Sequence, residues 1–454
     1  NAVAALPTAL AGEMPVLLLS GHAPLAELGN GAFQELPQAA MAAPVAKASW
    51  TAQRAEGLAD DIARAVATAL SGRPGPVHLS LPTDLLEAEI GEIPAAAPAR
   101  VPMGLSAATA RLVAEAITGA DRPLLIAPPA LVTPAGMAAL AALEAASGIP
   151  SIPMNSPRGL ADPTLGPVTE LLAEADLVVL LGKPLDFTLR FGRPAPKARF
   201  LLLEPDAALI GRARRLLGER LLFGAVAEPM AAVAALAQGM RPAAAQAGWA
   251  ARVRETLAWR PPAWAAFAGR PGPIHPATLG HAVHAALQGQ DATFVCDGGE
   301  VGQWGQAMIR GARHITNGVA GAIGASIPFA IGARAAIAKP TLALMGDGSF
   351  GFHMAELDTA ARHRLPFVAV VGNDSRWNAE HQIQLRDYGA NRAHGCALAP
   401  GTRYDLIATA LGGHGEFVES GEQLAPALAR ALASGRPAVV NVILEGEPAP
   451  SYRR

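Results

Sequence analysis

The sequence predicts an α/β protein with mainly parallel sheets, organised as about three domains. Three observations predict it. Short apolar runs of strand length alternate with Ala-rich helical text along the whole chain. Two Pro/Ala-rich stretches interrupt that alternation. Hydrophobic residues make up 51% of the chain against 16% charged, the balance of a well-buried globular protein.

In chain order, the runs expected as strands are Val16 to Ser20, Val77 to Leu81, Leu124 to Ala127, Leu177 to Leu181, Phe200 to Leu203, Thr293 to Cys296, Leu342 to Met345, Phe367 to Val371 and Ala438 to Ile443. Each is short, continuous and apolar, as strands buried on both faces are, and each is separated from the next by helical text. The first interruption runs from Gly91 to Gly104 (GEIPAAAPARVPMG) and the second from Gln238 to Pro276. Both read as linkers. They place domains at 1–95, 105–236 and 272–454. The first block is small for an α/β domain, and the chain opens at Asn1 with helix-like text already running. A missing front portion is therefore expected.

Net charge is −2 without a basic tract, which argues against a nucleic-acid partner. Two cysteines, Cys296 and Cys396, exclude a disulfide framework and fit a cytoplasmic location. Neither has a second cysteine nearby to make a zinc site. The stretch from Val319 to Ala338 is apolar, but it holds Pro328 and Arg334 and is crowded with Gly and Ala. It reads as a buried loop and helix rather than a membrane span.

The segment LALMGDGSFGFHMAELDTAARHRLPFVAVVGNDSRWN carries the chemistry. A strand ends at Met345 and runs into Gly346-Asp347-Gly348-Ser349. A helix is expected from about His353 to His363. The next strand runs into Gly372-Asn373-Asp374. Two parallel strands thus deliver Asp347 and Asp374 to one carboxyl edge, where α/β sheets bind ligands. Glycines at 346 and 348 let backbone N–H groups approach a phosphate, and a helix N-terminus after Ser349 favours the same anion. Two carboxylates suit Mg²⁺, which takes one or two of them together with phosphate oxygens. A GDG turn alone is common, and Asp after a strand is often only a helix cap. The Gly-Asn-Asp at the next strand end is what raises the pair above that reading.

GDG followed about two dozen residues later by Asn-Asp resembles the fingerprint of thiamine-diphosphate enzymes, of the type of acetolactate synthase, 2-hydroxyacyl-CoA lyase and benzaldehyde lyase. The resemblance extends over nearly the whole chain. It implies three doubly wound parallel-sheet domains: a truncated pyrimidine-binding domain, a central domain and a diphosphate-binding domain. It implies thiamine diphosphate and Mg²⁺ as cofactors, with Asp347, Asp374 and the backbone carbonyl of Arg376 as metal ligands. Asp374 stands where Asn is commoner in the family, and Asn373 is an alternative ligand. In CDGGEVGQWGQ, the resemblance places Gly299, Glu300 and Val301 at the cofactor and Gln303 and Trp304 toward the substrate. In NGVAGAIGASIPFAIGA it makes Ile323 the apolar wedge between the cofactor's two rings, with the Gly321 carbonyl accepting from the aminopyrimidine. Gln34, in AFQE, matches a substrate-facing glutamine. Trp377, Asn378, Glu380, His381 and Gln384 would line the site's mouth, with His381 able to move protons.

The family also uses a glutamate that activates the cofactor, and it is expected upstream of residue 1. A small-molecule substrate and a homodimer or homotetramer are implied, with the active site between subunits. FAD in the central domain is possible but not predicted: Arg212, Arg214 and Arg215 read as a solvated helix face. The expected activity is carbon–carbon bond formation or cleavage on 2-oxo acids or 2-hydroxy ketones, acetolactate synthase-like, as a carboligase, transferase or lyase. Alternatives are a lyase or decarboxylase of 2-hydroxyacyl-CoA or 2-oxo acids, a catalytically silent relative lacking the glutamate, and a Mg²⁺-dependent phosphatase using Asp347 as nucleophile.

Overall fold

A computed structural model of the chain describes residues 2–92, 97–98, 100–267, 273–319 and 321–452. The boundary positions 1, 95, 272 and 454 lie outside the described residues. Among the described residues, fourteen strands form three sheets, and every strand pair in them is parallel. Parallel neighbours require a crossover between them, which is the work of the Ala-rich helices.

The first sheet contains β1 (Leu17–His22), β2 (Ala48–Thr51) and β3 (Val77–Pro82) in the order β1-β3-β2. The second contains β4 (Pro123–Ala127), β5 (Ser151–Pro153), β6 (Leu177–Leu181), β7 (Arg199–Leu203) and β8 (Leu221–Ala225), ordered β5-β4-β6-β7-β8. All five residues of β6, LVVLL, are buried, as a central strand covered on both faces demands. The third contains β9 (Thr293–Cys296), β10 (Arg313–Thr316), β11 (Thr341–Gly346), β12 (Val368–Asn373), β13 (His414–Val418) and β14 (Ala438–Ile443), ordered β10-β9-β11-β12-β14-β13.

The third sheet is doubly wound. Leu342, Leu344, Val368, Val370 and Val440 pack on one side with the helices Pro276–Leu287 and Gly421–Ala433. Their neighbours in sequence, Ala343, Met345, Ala369, Val371 and Val439, pack on the other with Ser326–Ala336 and Glu356–Arg362. The period of two along each strand sends alternate side chains into two separate cores.

The chain divides into two compact units. One holds residues 1–160, 168–256 and 318–320 with the first two sheets; the other holds 161–167, 257–317 and 321–454 with the third. The blocks 1–95 and 105–236 thus carry separate sheets within one unit. The stretch Gln238 to Pro276 is not a free linker. It contains the helix Ala247–Ala258, where Trp249 is buried and donates to the Pro123 carbonyl at 2.8 Å in the first unit. It also contains the turn Pro262–Phe267, whose Trp264 packs edge-on against Trp304 in the second unit, with ring centroids 5.1 Å apart. Buried indoles outweigh the Pro/Ala composition of the stretch. The stretch Gly91 to Gly104 has no helix or strand among its described residues. Nor is any described helix long and apolar enough to cross a membrane.

Candidate active site

The strand order of the third sheet reverses beside β9: β10 lies on one side of it and β11 on the other. A crevice opens at such a reversal, outside the carboxyl ends of the strands. The pocket found there is lined by the turns that leave β9, β11 and β12: Gly298 to Val301, Gly346 to Ser349, and Gly372 with Asp374 to Trp377 except Ser375. Gly346 and Gly372 are register partners, so the two acidic residues that follow are carried to the same rim.

The helix on the GDG turn begins earlier than expected. It spans Asp347–His353, with Gly346 as its N-cap, and a second helix, Glu356–Arg362, follows separately. Asp347 therefore sits in the first helical turn and is only 2% exposed. Its Oδ1 accepts from the Gly348 N–H at 2.9 Å, while its Oδ2 is buried without a hydrogen-bond partner. Burial raises its pKa to about 6, opposed by the N–H groups of Gly348, Ser375 and Arg376. Asp374 is raised to about 7, first by burial and then by the Asp347 carboxylate, with Arg376 opposing. Two neighbouring acids that resist ionisation, one with an orphaned oxygen, form a place where a divalent cation removes the strain.

The backbone beyond β12 borders the same two acids. Ser375 adopts φ 57°, uncommon for a residue with a Cβ. Arg376 bridges Ala397, but that bridge's bonds are made by its neighbours: Trp377 N–H to Cys396 O at 2.8 Å, and Leu398 N–H to Ser375 O at 2.7 Å. Arg376's own N–H and carbonyl consequently face the other way. Asn373 is turned away from the pocket. Its amide donates to Thr402 O and Asn441 Oδ1, and its Oδ1 accepts from Ser375, so its polar groups are already occupied. A Cβ at Gly348 would lie 2.5 Å from the Trp377 ring. Close packing against that indole fixes glycine there.

The pocket brings together Gly299, Glu300, Val301, Ile323, Gly346, Asp347, Gly348, Ser349, Asp374 and Arg376. Other expected site residues lie elsewhere. Gln303 donates to Glu300 Oε2 at 3.0 Å and to the Gly299 carbonyl, and does not line the pocket. His381 lies in the helix Asn378–Tyr388, one residue beyond the last lining position, Glu380. Gln384 is tied to the His394 backbone. Gly321 is exposed with φ 70°. Gln34 belongs to the first unit, exposed in a turn with φ 60°. Arg214 and Arg215 are exposed on the helix Ala207–Leu217, as a solvated face requires. Sequence reading passed over Asp297, whose buried carboxylate lies directly behind the Gly298-Gly299 turn. Its only signal was an acid at a strand end, which looked like part of a Gly-rich turn.

The donor set is two carboxylates and an outward-facing carbonyl beside glycine turns. It would suit a hard divalent cation with an anionic ligand, at the crevice of a doubly wound α/β sheet. Comparison with known proteins narrows this. Residues 297–442 match the C-terminal, thiamine-pyrophosphate-binding domain of thiamine pyrophosphate enzymes. The chain is 32% identical to the acetolactate synthase large subunit of Mycobacterium tuberculosis over 100% of its own length and 83% of the relative's. It is 28% identical to 2-hydroxyacyl-CoA lyase 2 of Bos taurus, covering 98% of this chain and 78% of that one. Its fold resembles the crystal structure of benzoylformate decarboxylase from Polynucleobacter necessarius, with TM-score 0.79, 20% identity, and 99% and 86% of the two chains covered. The chain belongs to the thiamine-pyrophosphate-dependent enzymes.

Proposed function

We propose that this protein makes or breaks carbon–carbon bonds of 2-oxo acids or 2-hydroxy ketones with thiamine diphosphate and Mg²⁺, as an acetolactate synthase-like carboligase. The observation that carries the proposal is the pair of acids, Asp347 and Asp374, on neighbouring parallel strand ends in one pocket. Similarity at 32% identity over 100% of this chain and 83% of an acetolactate synthase supports the finer choice.

Asp347, through its unpartnered Oδ2, with Asp374 and the carbonyl of Arg376, would hold Mg²⁺, and the glycine turns at 299 and 346–349 would receive the diphosphate. Bound there, thiamine diphosphate supplies a nucleophilic carbon and an electron sink. The protein supplies shape and orientation. Ile323 forms an apolar wall of the pocket, and Trp377 packs over Gly348, where it would help keep water from a bound cofactor. We assign substrate-facing roles to Gln34, Gln303 and His381, with Gln34 contributed by a second copy in a homodimer or homotetramer. The location is cytoplasmic in this proposal.

Calorimetric titration of thiamine diphosphate, with and without Mg²⁺, tests the assignment. Binding is expected only with the cation, and Asp347→Ala is expected to weaken it at least about 100-fold, the cost of losing a charged ligand. Unchanged affinity in that variant would refute the site. A panel of 2-oxo acids and acyloins then separates condensation from cleavage.

A further inference from the structure

Asp297 follows the last residue of β9 and is 2% exposed. Its carboxylate accepts from the Gly298 N–H at 2.7 Å, the Gly324 N–H at 2.9 and 3.1 Å to its two oxygens, the Ser326 N–H at 3.3 Å and the Ser326 hydroxyl at 2.9 Å. All but the first of these donors belong to the turn immediately after Ile323. The other side of that turn is held as well. The Gly324 carbonyl accepts from His353 Nδ1 at 2.9 Å; a carbonyl cannot donate, so His353 carries a proton on Nδ1.

Both backbone polar groups of Gly324 are therefore bonded, one to each partner. Gly324 has φ 87°, and a Cβ on it would lie 2.5 Å from the Cβ of Phe352. The position admits only glycine in only this conformation. Ile323, one residue before, has its direction set by that grip. It lines the pocket, and its Cγ2 lies 3.3 Å from where a Cβ on Gly298 would stand. One carboxylate thus ties the first cofactor turn, at Gly298, to the turn that carries the apolar wall.

A turn can be closed by a neutral Asn or Ser side chain. Burying a carboxylate costs more, as the upward push of burial on Asp297's pKa shows. In return its charge-assisted bonds are roughly twice as strong as neutral ones. The structural gain is stiffness at Ile323.

We infer that Asp297 is a positioning residue that, with His353 on the opposite side of Gly324, fixes Ile323 at the pocket wall before the cofactor arrives. The inference rests on the reading that this pocket takes thiamine diphosphate.

The test combines amide hydrogen exchange of the cofactor-free protein with calorimetric affinity for thiamine diphosphate at saturating Mg²⁺. Asp297→Asn is expected to speed exchange at residues 321–327 and to weaken cofactor binding about tenfold, the scale of one bond to a charged group. In an Ile323→Ala background the same substitution is expected to cost under about twofold, because it acts through a side chain already removed. Ser326→Ala is the gentler variant should Asp297→Asn fail to fold, with about threefold weakening that also vanishes beside Ile323→Ala. Faster exchange with unchanged affinity, or equal losses in both backgrounds, would overturn the inference. A parent chain that does not bind thiamine diphosphate refutes the functional reading and this inference together; a parent that binds, with additive variants, refutes this inference alone.

Discussion

Asp347 and Asp374 repel one another across the pocket, and both are held above the ordinary carboxylate range, at about 6 and about 7. Between roughly pH 4 and these values the cation-free native chain holds protons that the unfolded chain has released. Its stability is therefore expected to fall as pH rises through that window. Mg²⁺ favours the ionised pair, so its affinity rises with pH over the same range and its binding releases protons. Thermal melts from roughly pH 4 to 8 should show a falling midpoint without Mg²⁺ and recovery with it; Asp374→Asn should flatten the cation-free slope. A midpoint indifferent to pH, with no proton release, would contradict the coupled pair. These two acids were legible in the sequence because strand ends fix where they stand. Asp297 was not, because its partners, Gly324 and Ser326, are far off in the chain and nothing local marks the bond. Nor was the bond from Gln303 to Glu300, one turn away on its own helix, which only the folded helix shows.

At the scale of elements, the central strands were readable and, β1 apart, the edges were not. The strands that escaped notice, β2, β5, β8, β10 and β13, each lie at the margin of a sheet. Edge strands bury less and carry polar text such as RHIT and HGEFV, so the continuous apolar run that marks a central strand is missing. The early start of the helix Asp347–His353 was masked by its glycines, which have low helix propensity; tertiary packing prevails there. The contact of Gly348 with Trp377 gives a prediction at this scale. Gly348→Ala should push the indole aside, destabilise the chain by about 1–3 kcal/mol and shift its tryptophan fluorescence. A wild-type melting temperature and spectrum would show that the indole does not pack there. The stretch Gln238 to Pro276 was misread for a different reason: Pro and Ala composition outweighed two buried tryptophans, Trp249 and Trp264, that only a core accounts for.

For the whole molecule, parallel sheets followed from alternation and their number from length and the two Pro/Ala-rich stretches, whereas their grouping into two units depends on contacts far apart in sequence. Arg73 illustrates this: it bonds both oxygens of Glu204, joining the first two sheets' blocks across 131 positions of chain. The subunit arrangement is a prediction at this scale. Sedimentation equilibrium should show a dimer or tetramer, and a monomer that binds thiamine diphosphate with full affinity would remove the second copy from the site. The central claim concerns the cation. A crystal grown with thiamine diphosphate and Mn²⁺ in place of Mg²⁺ tests it most directly through the metal's anomalous signal. One strong peak should lie between the carboxylates of Asp347 and Asp374, in contact with the diphosphate. Diphosphate bound with the metal elsewhere, or with neither acid touching it, would contradict the account.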